Sequence, residues 1–449
     1  MQGIRVARFA ALAAAIALVV PGLAAAGNEV TKWNEISLNA IVGSPPAFPT
    51  PPAFLSAPPA SAVFVAMVQG AVYGAVNAAD RHGRPYLIDR SYPKASADAA
   101  AATAAYKVLS ALYPGQQAAF DAAYAASLTA IPDQGEEQGR AVGEMAAAAM
   151  LAEGHNSAIP IGCMFGTGDI GVWQPLAGAG GAPACDPTVW VANAKPFVID
   201  SPSQFRTAGP YSVGSPEYAV DYAEVKSIGS IGSTTRTPGE THAAAFWQTS
   251  PAPNYNGLAR RLVDRFGLDV RDSARLFALL DLSAADGLIS VWNDKYHYNF
   301  WRPITAIRRA DDGNPATVSD PTWTPLFSAG FPTSPPLPAS PLPAGGVGGP
   351  LLTPPYPDHP SGATAYGSAS MHALASFFGT DELSDAFYLT SSRFPGEQRQ
   401  FTRFSDVTTE IVGARIWAGI HFRNTDVQAE KLGGDVERYV HKHLLAAAH

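Results

Sequence analysis

The segment WNDKYHYNFWRP, residues 292–303, places two cations close to an expected break in a helix. Lys295 and Arg302 are separated by six residues, and Pro303 disfavours the helical conformation for the arginine before it. The two side chains can therefore converge on one point outside the backbone. The planar fork of an arginine and the compact charge of a lysine suit a multiply charged oxyanion. Taken alone, the segment is explained slightly better as an ordinary surface helix end, where the helix dipole favours basic residues, than as an oxyanion site.

Two later segments carry features that complement this pair of cations. The segment PDHPSGA, residues 357–363, predicts a helix start at Ser361 whose free N–H groups can bind an anion. The segment ARIWAGIH, residues 414–421, places Arg415 near the end of an apolar helix and His421 six positions later. Each feature alone is weak, because a plain helix start and a structural histidine explain them equally simply.

The three segments together resemble the motifs of the vanadium-dependent haloperoxidases, which are, in this order, Lys-x6-Arg-Pro, Pro-Ser-Gly and Arg-x5-His. That family belongs to a superfamily with the type 2 phosphatidic acid phosphatases and the bacterial acid phosphatases. Other segments, including TKWNEISLNAI, AVYGAVNAAD and KYHYNFWRPITAIRRADDGNPAT, extend the resemblance over nearly the whole mature chain. They look like the bacterial secreted branch of the family.

The resemblance implies a vanadate cofactor, with hydrogen peroxide and a halide or small organic molecule as substrates. The residues that would hold the oxygens of vanadate or phosphate are Lys295, Arg302, Ser361, Gly362 and Arg415. His421 would be the apical ligand to vanadium, or the nucleophile toward phosphorus in a phosphatase. Trp292 and Tyr356 match positions that flank the halide site of related enzymes, although packing around the pocket explains them as well.

One position departs from the family pattern. The histidine that usually follows Ser-Gly, and acts as the acid–base group, is Ala363 in this chain. Loss of a positioned acid–base group costs about 10² to 10⁴ in rate. His359, four residues earlier, is a candidate substitute, whereas Asp358 and His297 are interpreted as surface polar residues.

Three functions therefore stay open at this point. The first is a vanadate-dependent peroxidase that favours bromide or iodide over chloride. The second is a secreted acid phosphatase that uses His421 as its nucleophile. The third is a non-catalytic oxyanion-binding protein. The alanine at position 363 favours this function, whereas the presence of the other site residues favours an enzyme.

Residues 1–26 have the composition of a signal peptide, with Arg5 and Arg8 before an apolar run and small residues up to Ala26. Cleavage near Ala26 would give a secreted or periplasmic protein. We expect no later stretch to be apolar enough to cross a bilayer. Removing two arginines and no acid changes the formal charge from −8 to −10. An acidic exported chain has no electrostatic reason to bind nucleic acid or an anionic membrane.

The two cysteines, Cys163 and Cys185, lie in a region rich in glycine and proline. In an exported chain we expect them to form one disulfide, which closes a loop on the order of 20 residues and stabilises the fold by about 3 kcal/mol. Their spacing is not that of a redox-active pair, and no histidine pair lies nearby at the spacing of metal ligands.

Helix-start signals recur along the chain while alternating strand patterns are scarce, so we predict an all-α fold with long loops rich in proline and glycine. An N-terminal bundle, 27–153, precedes a loop region, 154–214, and a C-terminal bundle, 215–449, that carries the site. The loop region is expected to cover the mouth of the site. The main predicted helices cover 61–79, 97–113, 117–130, 136–153, 256–266, 272–295, 361–378, 405–419 and 425–445.

Overall fold

The structure, a computed structural model, describes residues 28–81, 83–132, 134–159, 166–176, 185–327 and 352–445. Within these ranges the chain forms fourteen α-helices and one two-stranded sheet, so the predicted all-α fold is confirmed. The predicted signal peptide and Cys163 lie outside the described residues. Signal-peptide cleavage and the disulfide between Cys163 and Cys185 therefore stay predictions.

The N-terminal half is a bundle built around one central helix. Its helices are α1 (Glu29–Val42), α2 (Ala53–Ser56), α3 (Pro58–Ala79), α4 (Ala97–Leu112), α5 (Gln117–Ala130) and α6 (Glu136–Glu153). α3 packs against α4 and α6. Gly139 and Gly143 let α6 approach α4 closely, because a Cβ there would lie 2.4 Å and 2.6 Å from the carbonyl oxygens of Ser96 and Ala100. Small residues thus set the spacing of this bundle.

The central helix α3 is apolar on all sides, and it corrects one expectation. By length and composition this helix could cross a membrane, with a window of mean hydropathy 1.5, so the expectation that no later stretch would qualify is wrong. All of that window is buried inside the fold. A helix that is hydrophobic all round is equally suited to the core of a large domain, and α3 has that position here.

The C-terminal half is organised around the longest helix, α10. Its helices are α7 (Pro216–Ile228), α8 (Pro238–Phe246), α9 (Pro251–Phe266), α10 (Val270–Tyr298), α11 (Pro303–Arg308), α12 (Gly362–Phe378), α13 (Phe404–Trp417) and α14 (Arg423–Val440). α10 packs against α12 and α14, and also against α3 of the other half. One hydrophobic core therefore extends through both halves.

A β-hairpin between α12 and α13 was not predicted. Its strands, β1 (Glu382–Thr390) and β2 (Gln398–Arg403), pair antiparallel. Phe387 and Leu389 of β1 are buried, but most of the other positions in the two strands are exposed or half-buried. Because so few positions face the core, the alternation that marks a strand is weak in the sequence.

Candidate active site

Three cations from three different helix ends lie buried in one region. Lys295 is in the last turn of α10, Arg302 caps α11, and Arg415 is in the last turn of α13. Their exposed fractions are 0%, 0% and 5%. The Lys295 ammonium and the Arg302 guanidinium lie 5.0 Å and 5.1 Å from the centre of the Tyr356 ring. Because buried charges are costly without compensation, such a cluster requires partners.

Backbone carbonyls of the segment before α12 provide part of that compensation. Lys295 Nζ donates to the carbonyl oxygens of Pro357 at 2.8 Å and Asp358 at 2.9 Å. Arg302 Nε donates to the carbonyl oxygen of Tyr356 at 2.9 Å. Burial, with repulsion from Arg302, lowers the pKa of Lys295 well below its usual value. An ammonium has three N–H donors, so one remains for an anion.

The break between α10 and α11 has the predicted backbone geometry. Asn299 ends α10 in the left-handed conformation, and Arg302 is extended with ψ 155°, as expected before Pro303. From this position Arg302 Nη1 donates to the carbonyl oxygen of Ile420 at 2.8 Å and lies 3.2 Å from His421 Nε2. The break therefore brings the guanidinium against the predicted vanadium ligand.

A turn at a glycine after α13 places His421 beside the cluster of cations. Gly419 has φ +74°, and a Cβ at that position would lie 2.4 Å from the carbonyl oxygen of Gly229, so only glycine fits. His421 Nδ1 is 2.8 Å from Asp358 Oδ1, and the Thr425 hydroxyl donates to Asp358 Oδ2 at 2.6 Å. When Nδ1 is protonated and donates a hydrogen bond to the carboxylate, Nε2 keeps the lone pair that a metal or phosphorus needs.

The interpretation of Asp358 as a surface residue is wrong. Its side chain is fully buried, 3.6 Å from Arg302 Nη1 and bonded to His421, whereas His297 is exposed as expected. Burial raises the pKa of Asp358 to about 6, against the attraction of Arg302 and the hydrogen bond from Thr425. Burial, with repulsion from Arg302, lowers the pKa of His421 well below its usual value. The pair therefore favours a neutral imidazole beside a carboxylate near neutral pH.

The start of α12 combines a hydroxyl with closely packed glycine. Ser361 is the N-cap residue. Its hydroxyl donates to Thr364 Oγ1 at 3.3 Å and accepts no backbone N–H of the first turn. A Cβ on Gly362 would lie 2.8 Å from the Trp292 ring. The first N–H groups of a helix have no partner within the helix and favour an anion.

A second buried carboxylate, which the sequence analysis missed, lies near Arg415. Asp426 accepts a hydrogen bond of 2.6 Å from the Thr364 hydroxyl and attracts the charge of Arg415. Burial raises the pKa of Asp426 to about 7, partly offset by hydrogen bonds from Thr364 and Ser361. Arg415 also donates from Nη1 to Gln248 Oε1 at 3.4 Å.

A cavity of about 100 Å³ lies against one side of this cluster. Of the six residues predicted to surround one anion-sized cavity, only Gly362 and Arg415 line it. Of the other four, Lys295, Arg302 and His421 all contact Asp358, whereas Ser361 bonds to Thr364. Tyr356, whose carbonyl accepts from Arg302, lines the cavity. The remaining predicted members of the cluster are Lys295, Arg302, Ser361 and His421.

The three other predicted pocket residues all line this cavity. Ala363 is among them, as expected for a position where the family has a histidine. Trp292 and Tyr356 also line it, with ring centres 5.1 Å apart. The two aromatic residues therefore form part of the cavity wall and pack against each other at the same time.

His359 lies apart from the cavity. Its Nε2 is 2.9 Å from Thr207 Oγ1 and its Nδ1 is 3.4 Å from Thr425 Oγ1. α12 begins at Gly362, so His359 lies outside the helix that carries Ala363. Burial lowers the pKa of His359 to about 3. This geometry does not support His359 as a substitute acid–base group.

Three aspartates, one in the loop region after the N-terminal bundle and two in α10, bind the loop region to the side of α10. Asp186, another residue that the sequence analysis missed, accepts hydrogen bonds from Trp292 Nε1 at 3.0 Å and the Tyr296 hydroxyl at 2.5 Å. Asp286 and Asp294 of α10 accept backbone N–H groups from the same region. No described residue of 154–214 lines the cavity, so the described part of the loop does not cover it as expected.

Comparisons with known proteins identify relatives of both the sequence and the fold. The family model described as the VCPO second helical-bundle domain matches residues 275–449. The vanadium chloroperoxidase of Curvularia inaequalis is 29% identical over 164 residues, which are 33% of this chain and only 24% of that protein.

Solved structures extend the similarity to nearly the whole chain. The first bacterial vanadium-dependent iodoperoxidase superposes with a TM-score of 0.69 at 19% identity, covering 93% of this chain and 96% of its own. A holo-type bacterial vanadium-dependent chloroperoxidase superposes with a TM-score of 0.64 at 16% identity, covering 94% and 98%. The resemblance inferred from the sequence motifs is confirmed by these matches.

Proposed function

We propose that this chain, which has the fold of the bacterial vanadium haloperoxidases and carries the second helical bundle of that family, is a vanadate-dependent peroxidase. It oxidises iodide or bromide in preference to chloride, with hydrogen peroxide as the oxidant. The observation that carries the proposal is the buried cluster of three cations beside a histidine held by Asp358. Such a cluster is costly for the fold and is suited to a multiply charged oxyanion.

The described residues fit vanadate in three respects. Arg302 Nη2 and Arg415 Nε are buried donors with no partner among the described residues. The space around Gly362 excludes any larger side chain at the helix start, and His421 Nε2 is unprotonated when Nδ1 carries the proton shared with Asp358. The residues that would hold the oxygens are Lys295, Arg302, Ser361, Gly362 and Arg415, with His421 as the ligand to vanadium.

Vanadate, when bound, would supply the Lewis acidity that makes hydrogen peroxide reactive toward a halide. The chain itself supplies charge and orientation. Lys295 and the two arginines stabilise negative charge on oxygen, because fixed cations in a buried site cost no reorganisation during the reaction. Asp358 keeps the imidazole of His421 in one orientation, as carboxylate partners of metal-binding histidines do.

The preference for soft halides follows from Ala363. An alanine on the cavity wall cannot give a proton to a leaving oxygen, and His359 is turned toward Thr207 and Thr425. Iodide and bromide are more easily oxidised than chloride and need less acid assistance. We therefore expect Ala363→His to raise turnover, most strongly for chloride and by about tenfold or more. Halide oxidation rates measure this, with Ala125→His on the exposed face of α5 as the control.

An acid phosphatase is the second candidate. The pair of Asp358 and His421 supports it, since a carboxylate that orients an imidazole also suits a nucleophilic histidine. The third candidate, an oxyanion-binding protein without activity, rests on the alanine at position 363.

One set of measurements separates the three candidates. Purified apo-protein is titrated with vanadate by calorimetry, and His421→Ala is compared with His297→Ala, which changes an exposed histidine. The peroxidase predicts vanadate binding that only His421→Ala abolishes, together with iodide oxidation in the presence of peroxide. Phosphate release from a phosphomonoester without any halide oxidation would establish the phosphatase instead. Tight vanadate binding with neither activity would establish the binding protein.

A further inference from the structure

The β-hairpin packs against the connection between α8 and α9, residues 247–250. Ser391, which follows β1, donates from its hydroxyl to the carbonyl oxygen of Phe246 at 2.7 Å. The backbone N–H of Ser392 donates to Thr249 Oγ1 at 3.1 Å. The hairpin therefore holds this connection at both of its ends.

A half-buried carboxylate of α13 joins the connection to the hairpin a second time. Glu410 Oε1 accepts a hydrogen bond of 2.6 Å from Trp247 Nε1. The guanidinium of Arg399 in β2 pairs with both oxygens of this carboxylate, with Nη2 2.6 Å from Oε2 and Nε 2.5 Å from Oε1. Such a bidentate pair fixes the orientation of the carboxylate. Trp247 is 5% exposed, so its N–H group needs the acceptor that Glu410 provides.

The next residue of the connection contacts one of the three buried cations. Gln248 Oε1 accepts from Arg415 Nη1 at 3.4 Å, and Arg415 Nε is buried with no partner among the described residues. Because a guanidinium is planar and rigid, a hydrogen bond from one Nη also sets the direction of the Nε–H group. Gln248 thus orients a donor that the proposed function assigns to the oxyanion.

Glu410 itself points away from the oxyanion cluster. It lies five positions before Arg415 on α13, so the two side chains leave the helix in directions about 140° apart. The carboxylate bonds to Trp247 and Arg399, and Glu410 is not among the described residues that line the cavity. An effect of Glu410 on a bound oxyanion therefore has to pass through the connection, where Gln248 follows Trp247.

We propose that Glu410 is a positioning residue for Arg415, acting through Trp247 and Gln248, and that the hairpin holds Glu410 in place through Arg399. This inference deepens the proposed function and rests on it, because the orientation of Arg415 matters when an oxyanion binds there. Loss of Glu410 lowers oxyanion affinity without changing any residue that would contact the oxyanion.

The first test is a double-mutant cycle on the vanadate affinity of the apo-protein, measured by calorimetry. Glu410→Gln keeps the size of the side chain but turns an N–H₂ group toward Trp247 or Arg399, both of which need an acceptor. It should weaken vanadate binding about threefold to tenfold. Gln248→Leu removes the acceptor of Arg415 directly and should weaken binding by about tenfold. In the Gln248→Leu background, Glu410→Gln should then add nothing, because residues that act through one another are not additive.

A matched control and a second variant complete this test. Glu217→Gln, at an exposed position of α7, should bind vanadate as the wild type does. Arg399→Gln leaves Glu410 on Trp247, removes its pair with the hairpin and should weaken binding about threefold. Wild-type affinity in Glu410→Gln, or equal weakening by Glu410→Gln with and without Gln248→Leu, would overturn the inference. If Glu410→Gln does not fold, wild-type affinity in Arg399→Gln overturns it.

A measurement on the apo-protein separates this inference from the proposed function. The Nε–H group of Arg415 should give its own signal in a proton–nitrogen NMR spectrum, because burial protects it from exchange with water. Glu410→Gln should shift this signal, whereas Glu217→Gln should leave it in place. A wild type that binds no vanadate would contradict the proposed function, and the signal of Arg415 then still tests the role of Glu410. An unchanged signal in Glu410→Gln contradicts the inference in either case.

Discussion

At the scale of single residues, Asp358 connects the parts of the candidate site. Its backbone carbonyl binds Lys295, one carboxylate oxygen contacts His421 and Arg302, and the other accepts from Thr425. No other described residue contacts two of the cations and the histidine at once. The orientation of the imidazole and the balance of buried charge therefore depend on the same carboxylate.

We expect Asp358→Asn to weaken vanadate binding by about 10-fold to 100-fold, as changes to the partner of a metal-binding histidine do. An amide can present its N–H₂ to His421 Nδ1 and reverse the tautomer that leaves Nε2 free. Calorimetric titration with vanadate measures the effect. Asp385→Asn, which changes an exposed carboxylate on β1, is the control, and equal affinity in both variants would contradict this role.

Gly362 is a second residue whose identity is set by its surroundings. A Cβ there would lie 2.8 Å from the Trp292 ring, so Gly362→Ala should destabilise the fold by about 1–3 kcal/mol and displace the cavity wall. Gly239→Ala is the control, because the nearest atom to a Cβ at that helical position is 3.9 Å away. Thermal unfolding compares the two, and a stable Gly362→Ala protein would show that the wall gives way at little cost.

The cations, the helix start and His421 could be predicted because each has a local signature in the chain. The carboxylates that compensate them could not. Asp358 lies 63 positions from His421, Asp426 lies 62 positions from Thr364, and Asp186 lies 106 positions from Trp292. Only the folded chain brings such pairs together, and the one sequence signal for Asp358 is its place among prolines at a helix start.

At the scale of elements, helices were predictable where a break or cap marked both ends. α5 and α6 have the predicted bounds, whereas α3 and α9 begin earlier, at Pro58 and Pro251. Proline is accepted in the first turn of a helix, so these prolines start the helices rather than precede them. The β-hairpin was missed because its strands bury few positions.

The loop beside α10 is held by one carboxylate in particular. Asp286 accepts the backbone N–H groups of Phe197, Val198 and Ile199 at 2.7–3.0 Å. Asp286→Ala would leave three N–H groups without this acceptor and should destabilise the fold by about 3 kcal/mol or more. Limited proteolysis should then cut within 185–214. Asp200→Ala, at an exposed position of the same loop, is the control, and an equal cleavage pattern in both variants would contradict the role of Asp286.

At the scale of the whole molecule, buried ionisable groups with opposite pKa shifts share one core. Burial raises the pKa of Asp281 to about 7, of Asp286 to about 6 and of Asp426 to about 7. Burial lowers the pKa of His359 to about 3 and also lowers that of His421. The contribution of the aspartates to the unfolding free energy decreases as pH rises toward 7. The contribution of the histidines decreases as pH falls below about 6.5. The two effects oppose each other in the total stability.

A single substitution isolates one of these contributions. Asp281 lies in the middle of α10, fourteen residues before Lys295, and accepts a hydrogen bond of 2.8 Å from Asn256. In the folded chain it binds a proton between its unfolded pKa of about 4 and its folded pKa of about 7, so stability falls as pH rises through that window.

Asp281→Asn removes this proton binding while it keeps an oxygen that can accept from Asn256. Between pH 5 and pH 8 the variant should therefore gain about 2–3 kcal/mol of unfolding free energy relative to the wild type, at about 1.4 kcal/mol for each pKa unit. Urea unfolding at both pH values measures the difference between the proteins, in which the opposing histidines cancel. Asp272→Asn, at an exposed position in the first turn of the same helix, should show no such difference. If the stability difference between Asp281→Asn and the wild type is the same at both pH values, then Asp281 is ionised in the folded protein throughout this range.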